Sequence, residues 1–248
     1  MTTLLLQDGL YFLITFVLAT LFAMGGVGSA IALVPTFSLL GMPLNLAKAI
    51  GLFINSASTI TASVMNFRRG VLEVRFTLPL VIAVVIATPT GAWLSRYVPE
   101  EIVQWSLAVF LMVSAGLLIF TQREARVAYD RIWIMLVLGA AVGLVSGLIG
   151  VGGGTPILAA LTLLGFDAKK VAYAVSFVIP FSTLGGFFTY LSFVEMDWSL
   201  LVVVSIAAIM GGFLGGRIMH FRLSAAQVKK LIAVLLLLLA AKMIWELI

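Results

Sequence analysis

The sequence predicts an all-α polytopic membrane protein of two inverted-topology repeats, each with a broken glycine-rich helical hairpin plus three transmembrane helices. Three observations predict it. Apolar residues make up 62% of the chain and charged residues only 10%, too few polar groups to cover a soluble domain. Short motifs recur at an offset of 124 to 125 residues. The basic residues gather on one side only if the two longest apolar stretches double back. The chain is therefore read as a single transmembrane domain over 1–248, with repeat 1 at 9–122 and repeat 2 at 131–248.

The repeat shows in paired motifs. Gly26-Val27-Gly28-Ser29 answers Gly150-Val151-Gly152-Gly153, and Leu39-Leu40-Gly41 answers Leu163-Leu164-Gly165. Ala47-Lys48-Ala49-Ile50-Gly51 answers Ala172-Tyr173-Ala174-Val175-Ser176, Glu73 answers Asp197, and Gly91 answers Gly215. The charged stretch Gln122 to Arg131 joins the halves.

In order, the apolar segments run about 10–40, 44–67, 76–96 and 101–120, then 132–164, 171–193, 198–219 and 226–247. Most approach the roughly 20 residues of a spanning helix. The first of each half is too long. As one helix, 131–164 would reach about 50 Å against a hydrocarbon core of about 30 Å. Glycine clusters interrupt both long segments. No basic residue precedes the first segment and Asp8 stands before it, so it is expected to stay in the mature chain.

Charge sets the lie of the broken segments. If all eight cross, the basic residues divide seven to eight, which gives no orientation. If each broken segment is a hairpin, twelve fall on one side: Arg68, Arg69, Arg75, Arg123, Arg126, Arg131, Lys169, Lys170, Arg217, Arg222, Lys229 and Lys230. The other side keeps Lys48, Arg96 and Lys242. This obeys the positive-inside rule and gives the halves opposite orientation, as in many secondary transporters. The net charge of +5 thus serves topology, and nucleic acid is not an expected partner. Trp93, Trp105, Trp133, Trp198 and Trp245 lie mainly near segment ends, as an aromatic belt would.

Several chemistries drop out. There are no cysteines, so disulfides and thiol catalysis are excluded. His220 is the single histidine and has no metal partners nearby, so it is read as interfacial. No nucleophile–base pair and no metal or cofactor set is apparent, so an enzyme is not expected. No Asp or Glu occurs in 9–72, 74–99, 102–123, 131–166 or 198–245. Cation carriers and proton relays usually place an acid inside the bundle, so the interior favours an anion.

The chemistry is expected at the elbows. In Gly150-Val151-Gly152-Gly153-Gly154-Thr155-Pro156, Thr155 is the expected N-cap and Pro156 the first helical residue, with Gly165 ending the helix. The first elbow, Gly25 to Ser29, offers Ser29 as cap. A helix N-terminus inside the membrane presents free N–H groups to an anion. The candidate substrate-binding residues are Gly26, Gly28, Ser29, Asn55, Ser56, Gly152, Gly153, Gly154, Thr155 and Ser176. Ser58, Thr59, Ser182 and Thr183 are further polar positions facing the bundle. A hydroxyl bonded to its own helix is the commoner role for any one of these. Gly139, Gly143 and Gly147, four apart, are expected to pack helices. Lys48 sits at an outer mouth, where attracting anions is one role and snorkelling the commoner one, and Arg68 and Arg69 are expected to set topology.

These residues resemble the sulfite exporter TauE/SafE family of membrane transporters over nearly the whole chain. The first elbow motif with Pro35, the second elbow, the turn Arg68-Arg69-Gly70 and the run Gly91 to Glu101 carry the resemblance. Ser29 and Ala30 replace family glycines. The family's Ala-Thr-Ser stretch becomes Ala49-Ile50-Gly51 and Ala174-Val175-Ser176, so only Ser176 keeps its hydroxyl. The resemblance implies a bacterial inner-membrane, multi-pass transporter for sulfite or a sulfur-containing organic anion.

The expected function is alternating-access carriage of a small oxyanion, one half rocking against the other. An anion channel and a non-transporting scaffold or assembly factor are the alternatives. The expected partners are the small anionic substrate and the lipid bilayer, with homo-oligomerisation left open.

Overall fold

The structure is a computed structural model that describes residues 2–24, 28–68, 70, 74–120, 132–166, 168–218 and 225–248. Gly25, Gly26, Val27, Arg69, Glu73, the charged stretch from Gln122 to Arg131 and His220 lie outside the described residues. Among the described residues there are ten helices and no strand. In the first half they are α1 (Thr2–Met24), α2 (Ala30–Leu39), α3 (Leu44–Arg68), α4 (Val74–Leu94) and α5 (Glu100–Phe120). In the second they are α6 (Ile132–Ile149), α7 (Gly154–Leu163), α8 (Ala168–Leu191), α9 (Trp198–Ile218) and α10 (Ala225–Leu247).

Both long apolar segments are broken, and both turn back. Residue 153 returns to lie beside α6: a Cβ placed on Gly153 would sit 2.6 Å from Val142 Cγ1 and 3.2 Å from Ser146 Oγ. In the first half, the rings of Tyr11 on α1 and Phe37 on α2 meet edge to face at 5.1 Å. A segment continuing straight through could make neither contact. The break at the second elbow needs left-handed backbone, with φ of +77° at Gly150 and +67° at Gly152, which glycine adopts without steric cost. Each return helix ends in the same Schellman motif. Gly41 N–H donates to the Ser38 carbonyl and Met42 N–H to that of Phe37; Gly165 donates to Thr162 and Phe166 to Leu161.

Among the described residues, five helices are long and apolar enough to cross a membrane, over 77–94, 100–119, 132–149, 170–191 and 198–215. The sequence reading expected three such helices per half. The two that fall short are α3 and α10. The first carries Asn45, Lys48, Asn55, Ser56, Ser58 and Thr59 because it runs through the interior. The second carries Lys229, Lys230, Lys242 and Glu246 toward its ends. Leu13, Ile86, Val137, Phe213 and Leu238 point outward and stay exposed, the surface expected where lipid is the solvent.

The two halves interleave. Helix α1 packs on α9, and α6 packs on α4, while α3 pairs with α8 and α5 with α10. Exchanging the first five helices for the last five reproduces this pairing. Gly139 faces Leu80 and Ala83, Gly143 faces Val84 and Ala87, and Gly147 faces Thr88 and Ala92, so α6 and α4 run in the same direction. A Cβ at Gly147 would overlap the Thr88 carbonyl, so these three glycines pack backbone on backbone. Gly211 faces Phe16 and Ala19, and Gly215 faces Thr20 and Ala23, so α9 likewise runs parallel to α1. In contrast, α3 and α8 run antiparallel. Phe53 meets Phe187 at 4.9 Å, Ser56 meets Thr183, and Ser63 Oγ donates to the Ser176 carbonyl at 2.5 Å. This antiparallel pair lies at the centre of the bundle, between the two elbows.

Candidate anion site at the two elbows

The second return helix starts one residue before Thr155. Gly153 is the N-cap of α7, Gly154 its first residue, and Thr155 its second, with no side-chain cap bond. Glycine wins the cap because the turn through Gly150 and Gly152 leaves no room at position 153 for a side chain beside Val142. Thr155 points elsewhere. Its side chain lines a small cavity with Leu158, Ala159 and Thr162 of α7, Leu117 and Leu118 of α5, and Lys229 of α10.

Ser29 stands at the N-cap of α2, as expected, but does not cap. Its backbone is helical, with φ −73° and ψ −18°, outside the extended region in which an N-cap hydroxyl reaches the next turn. Its Oγ is buried and finds no hydrogen-bond partner among the described residues.

The consequence is two sets of free donors. The amides of Gly152, Gly153, Gly154 and Thr155 find no acceptor among the described residues; the first bond of the turn is Ile157 N–H to the Gly153 carbonyl. The amides of Gly28, Ser29, Ala30 and Ile31 likewise find none, the first bonds there being those of Ala32 and Leu33 to the Ser29 carbonyl. Unpaired backbone donors away from water are costly, and the positive ends of two helix dipoles add to the demand for a negative acceptor.

Asn55, on α3, links the elbows. It is 1% exposed. A Cβ on Gly28 would overlap its carboxamide, and one on Gly152 would lie 3.0 Å from Nδ2. Among the described residues Asn55 Oδ1 finds no hydrogen-bond partner. Glycine at 28 and 152 therefore lets both backbones close on one amide side chain.

The remaining candidates are already bonded. Ser56 Oγ donates to the Leu52 carbonyl at 3.0 Å and shares a 2.5 Å hydrogen bond with Thr183 Oγ1. Thr183 also bonds the Ile179 carbonyl, and its methyl would meet a Cβ on Gly152 at 2.9 Å. Ser182 bonds Thr88 on α4 at 2.9 Å. Ser58 and Thr59 both return to the Asn55 carbonyl. Ser176 donates to the Tyr173 carbonyl and faces Ser63, whereas Val175 and Ile179 of the same helix face Gly154. Gly26 lies outside the described residues.

Sequence reasoning misjudged Lys48, which does not snorkel. It is 1% exposed and the one charged side chain among the buried described residues. Its methylenes pack against Gly150, where any Cβ would overlap them. Its Nζ donates to Ser95 Oγ at 2.7 Å and Asn45 Oδ1 at 3.2 Å, and lies 5.5 Å from the Tyr190 ring centre. Tyr190 in turn donates to the carbonyls of Gly147 and Leu148 at the end of α6, at 2.8 and 3.0 Å. Apart from Asn45, three residues before it, its partners come from elements far away in sequence.

Among known families, residues 11–243 match the one described as Sulfite exporter TauE/SafE. Three curated relatives are each called a probable membrane transporter protein. One from Haemophilus influenzae is 24% identical over 243 residues, covering 95% of this chain and 93% of its own. One from Methanocaldococcus jannaschii is 26% identical over 187 residues, covering 71% and 68%. One from Bacillus subtilis is 24% identical over 204 residues, covering 78% and 81%.

Proposed function

The chain belongs to the sulfite exporter TauE/SafE family of membrane transporters, and we propose that it is a secondary carrier for a small anion, sulfite or a sulfur-containing organic anion, in a bacterial inner membrane. The observation that carries this reading is the pair of elbows, whose glycines 28 and 152 both close on the buried Asn55 carboxamide and whose amides find no acceptor among the described residues. An oxyanion between them accepts from Gly152, Gly153, Gly154 and Thr155 on one side and from Gly28, Ser29, Ala30 and Ile31 on the other. The Ser29 hydroxyl adds a donor with no other use. Gly26 remains part of the proposed first elbow.

The antiparallel pairing of α3 with α8, and the pairing of helices that survives exchange of the halves, support an inverted repeat. In that arrangement the two return helices approach one site from opposite faces. The moving parts of such a carrier are not the sequence halves. The backbone contacts of α4 with α6 and of α1 with α9 join one half to the other, so each pair moves as a unit, and the α3–α8 crossing is the pivot between them.

The test is flux of purified protein in sealed liposomes. A carrier gives saturable sulfite flux and counterflow against unlabelled sulfite. A channel gives conductance without counterflow, and a scaffold gives neither; either result overturns the proposal.

A further inference from the structure

We propose that Lys48 forms a second anion site, a station through which the transported anion passes before it reaches the elbows. The inference rests on the carrier reading above but uses different atoms. Lys48 is buried, and among the described residues no carboxylate lies within ion-pair distance of it; the charge of the exposed Glu100, at the start of α5, reaches it only from a distance. Ionisable residues inside membrane bundles are expensive and mark ion or substrate paths. The ammonium is held by neutral groups only. Ser95 Oγ and Asn45 Oδ1 take two of its three donors, and the Tyr190 ring lies nearby. A monoanion at the third donor would give the buried charge a direct partner.

The position suits a relay. The stem of Lys48 lies along Gly150, the first left-handed residue of the second elbow, and the free amides begin two residues further on, at Gly152. Its head reaches the turn between α4 and α5, where the exposed Arg96 lies 5.9 Å from the Phe193 ring centre in the turn after α8. Lys48 thus joins an end of the bundle to the elbow. The device is one-sided, because the counterpart of Lys48 in the second half is Tyr173. The ligand class is a small oxyanion with single or delocalised negative charge, since one ammonium and two neutral polar side chains balance one charge and no more.

A purely structural lysine would instead pin the α4–α5 turn through Ser95. Three variants in liposomes separate the roles, with sulfite as the probe. K48Q keeps a hydrogen-bonding head and loses the charge, K48R keeps the charge, and S95A removes the pin. The station predicts that K48Q raises the half-saturating sulfite concentration by about tenfold or more, the scale of a lost charged hydrogen bond. K48R should recover most of this, and S95A, which withdraws one partner of the ammonium but keeps its charge, should raise it by clearly less than K48Q. A second measurement needs no variant: the 15Nζ resonance of Lys48 in the full-length protein should shift on adding sulfite. Wild-type saturation in K48Q, equal impairment of K48Q and S95A, or a Lys48 resonance blind to sulfite each overturns the station. Absence of sulfite flux in the wild-type protein strikes the carrier reading instead.

Discussion

Asn55 Nδ2 lies 3.0 Å from the place a Cβ would occupy on Gly152, while its other carboxamide atom, Oδ1, has no partner among the described residues. A residue so enclosed and so incompletely bonded defines the site better than its glycines do. Asn55→Asp is nearly isosteric and places a carboxylate among the free amides. It should accept from the donors the substrate uses. We expect sulfite flux to fall by about a hundredfold, the scale set by a like charge against a bound anion, with unchanged elution on size-exclusion chromatography. Unaltered flux in this variant would remove Asn55 from the site.

Ser29 gives an opposite pairing of effects. Among the described residues its buried Oγ has no partner, so deleting it removes a desolvated group with no hydrogen bond to lose. Ser29→Ala should leave the melting temperature unchanged or raise stability by up to about 1 kcal/mol, while weakening sulfite affinity several-fold. Thermal unfolding and flux measured on the same preparation check both halves of the expectation.

The glycines divide by what surrounds them. At Gly147 a side chain would collide with the Thr88 carbonyl, whereas a Cβ on Gly116 meets nothing within 4 Å. Gly147→Leu should destabilise by about 3 kcal/mol or more through overpacking and lower the yield of folded protein. Gly116→Ala should stabilise α5 by about 0.5–1 kcal/mol, read as a higher melting temperature.

The hydrogen bond between Ser56 and Thr183 ties α3 to α8 at the pivot. Ser56→Ala and Thr183→Val should each cost about 1 kcal/mol. Their double-mutant cycle should give a coupling of about 0.5–1.5 kcal/mol in unfolding experiments. Additive effects would mean that the two helices are not coupled there.

Much of this was legible along the chain. The consecutive glycines at 152, 153 and 154 and the two Leu-Leu-Gly motifs announced a break and a stop, because backbone conformation at those points is a local matter. The packing role of Gly139, Gly143 and Gly147 followed from spacing alone. What was hidden depends on who meets whom. Thr155 looked like the cap by residue preference, but steric closure against Val142 gave that place to Gly153. Lys48 looked like a snorkelling residue, since nothing local reveals that Gly150, Ser95 and Tyr190 enclose it. Ser176 was chosen over Thr183 from the family pattern, while the α3–α8 crossing sets Thr183 beside Gly152 and turns Ser176 toward Ser63.

The elbow amides themselves can be watched directly. In full-length protein labelled with 15N-glycine, titration with sulfite should move the amide resonances of Gly28, Gly152, Gly153 and Gly154 along one saturable curve. Those of Gly139, Gly143 and Gly147, held inside α6, should stay in place. Saturable flux with all four elbow resonances unmoved would contradict the account, because the anion would then be crossing without touching the donors on which it rests.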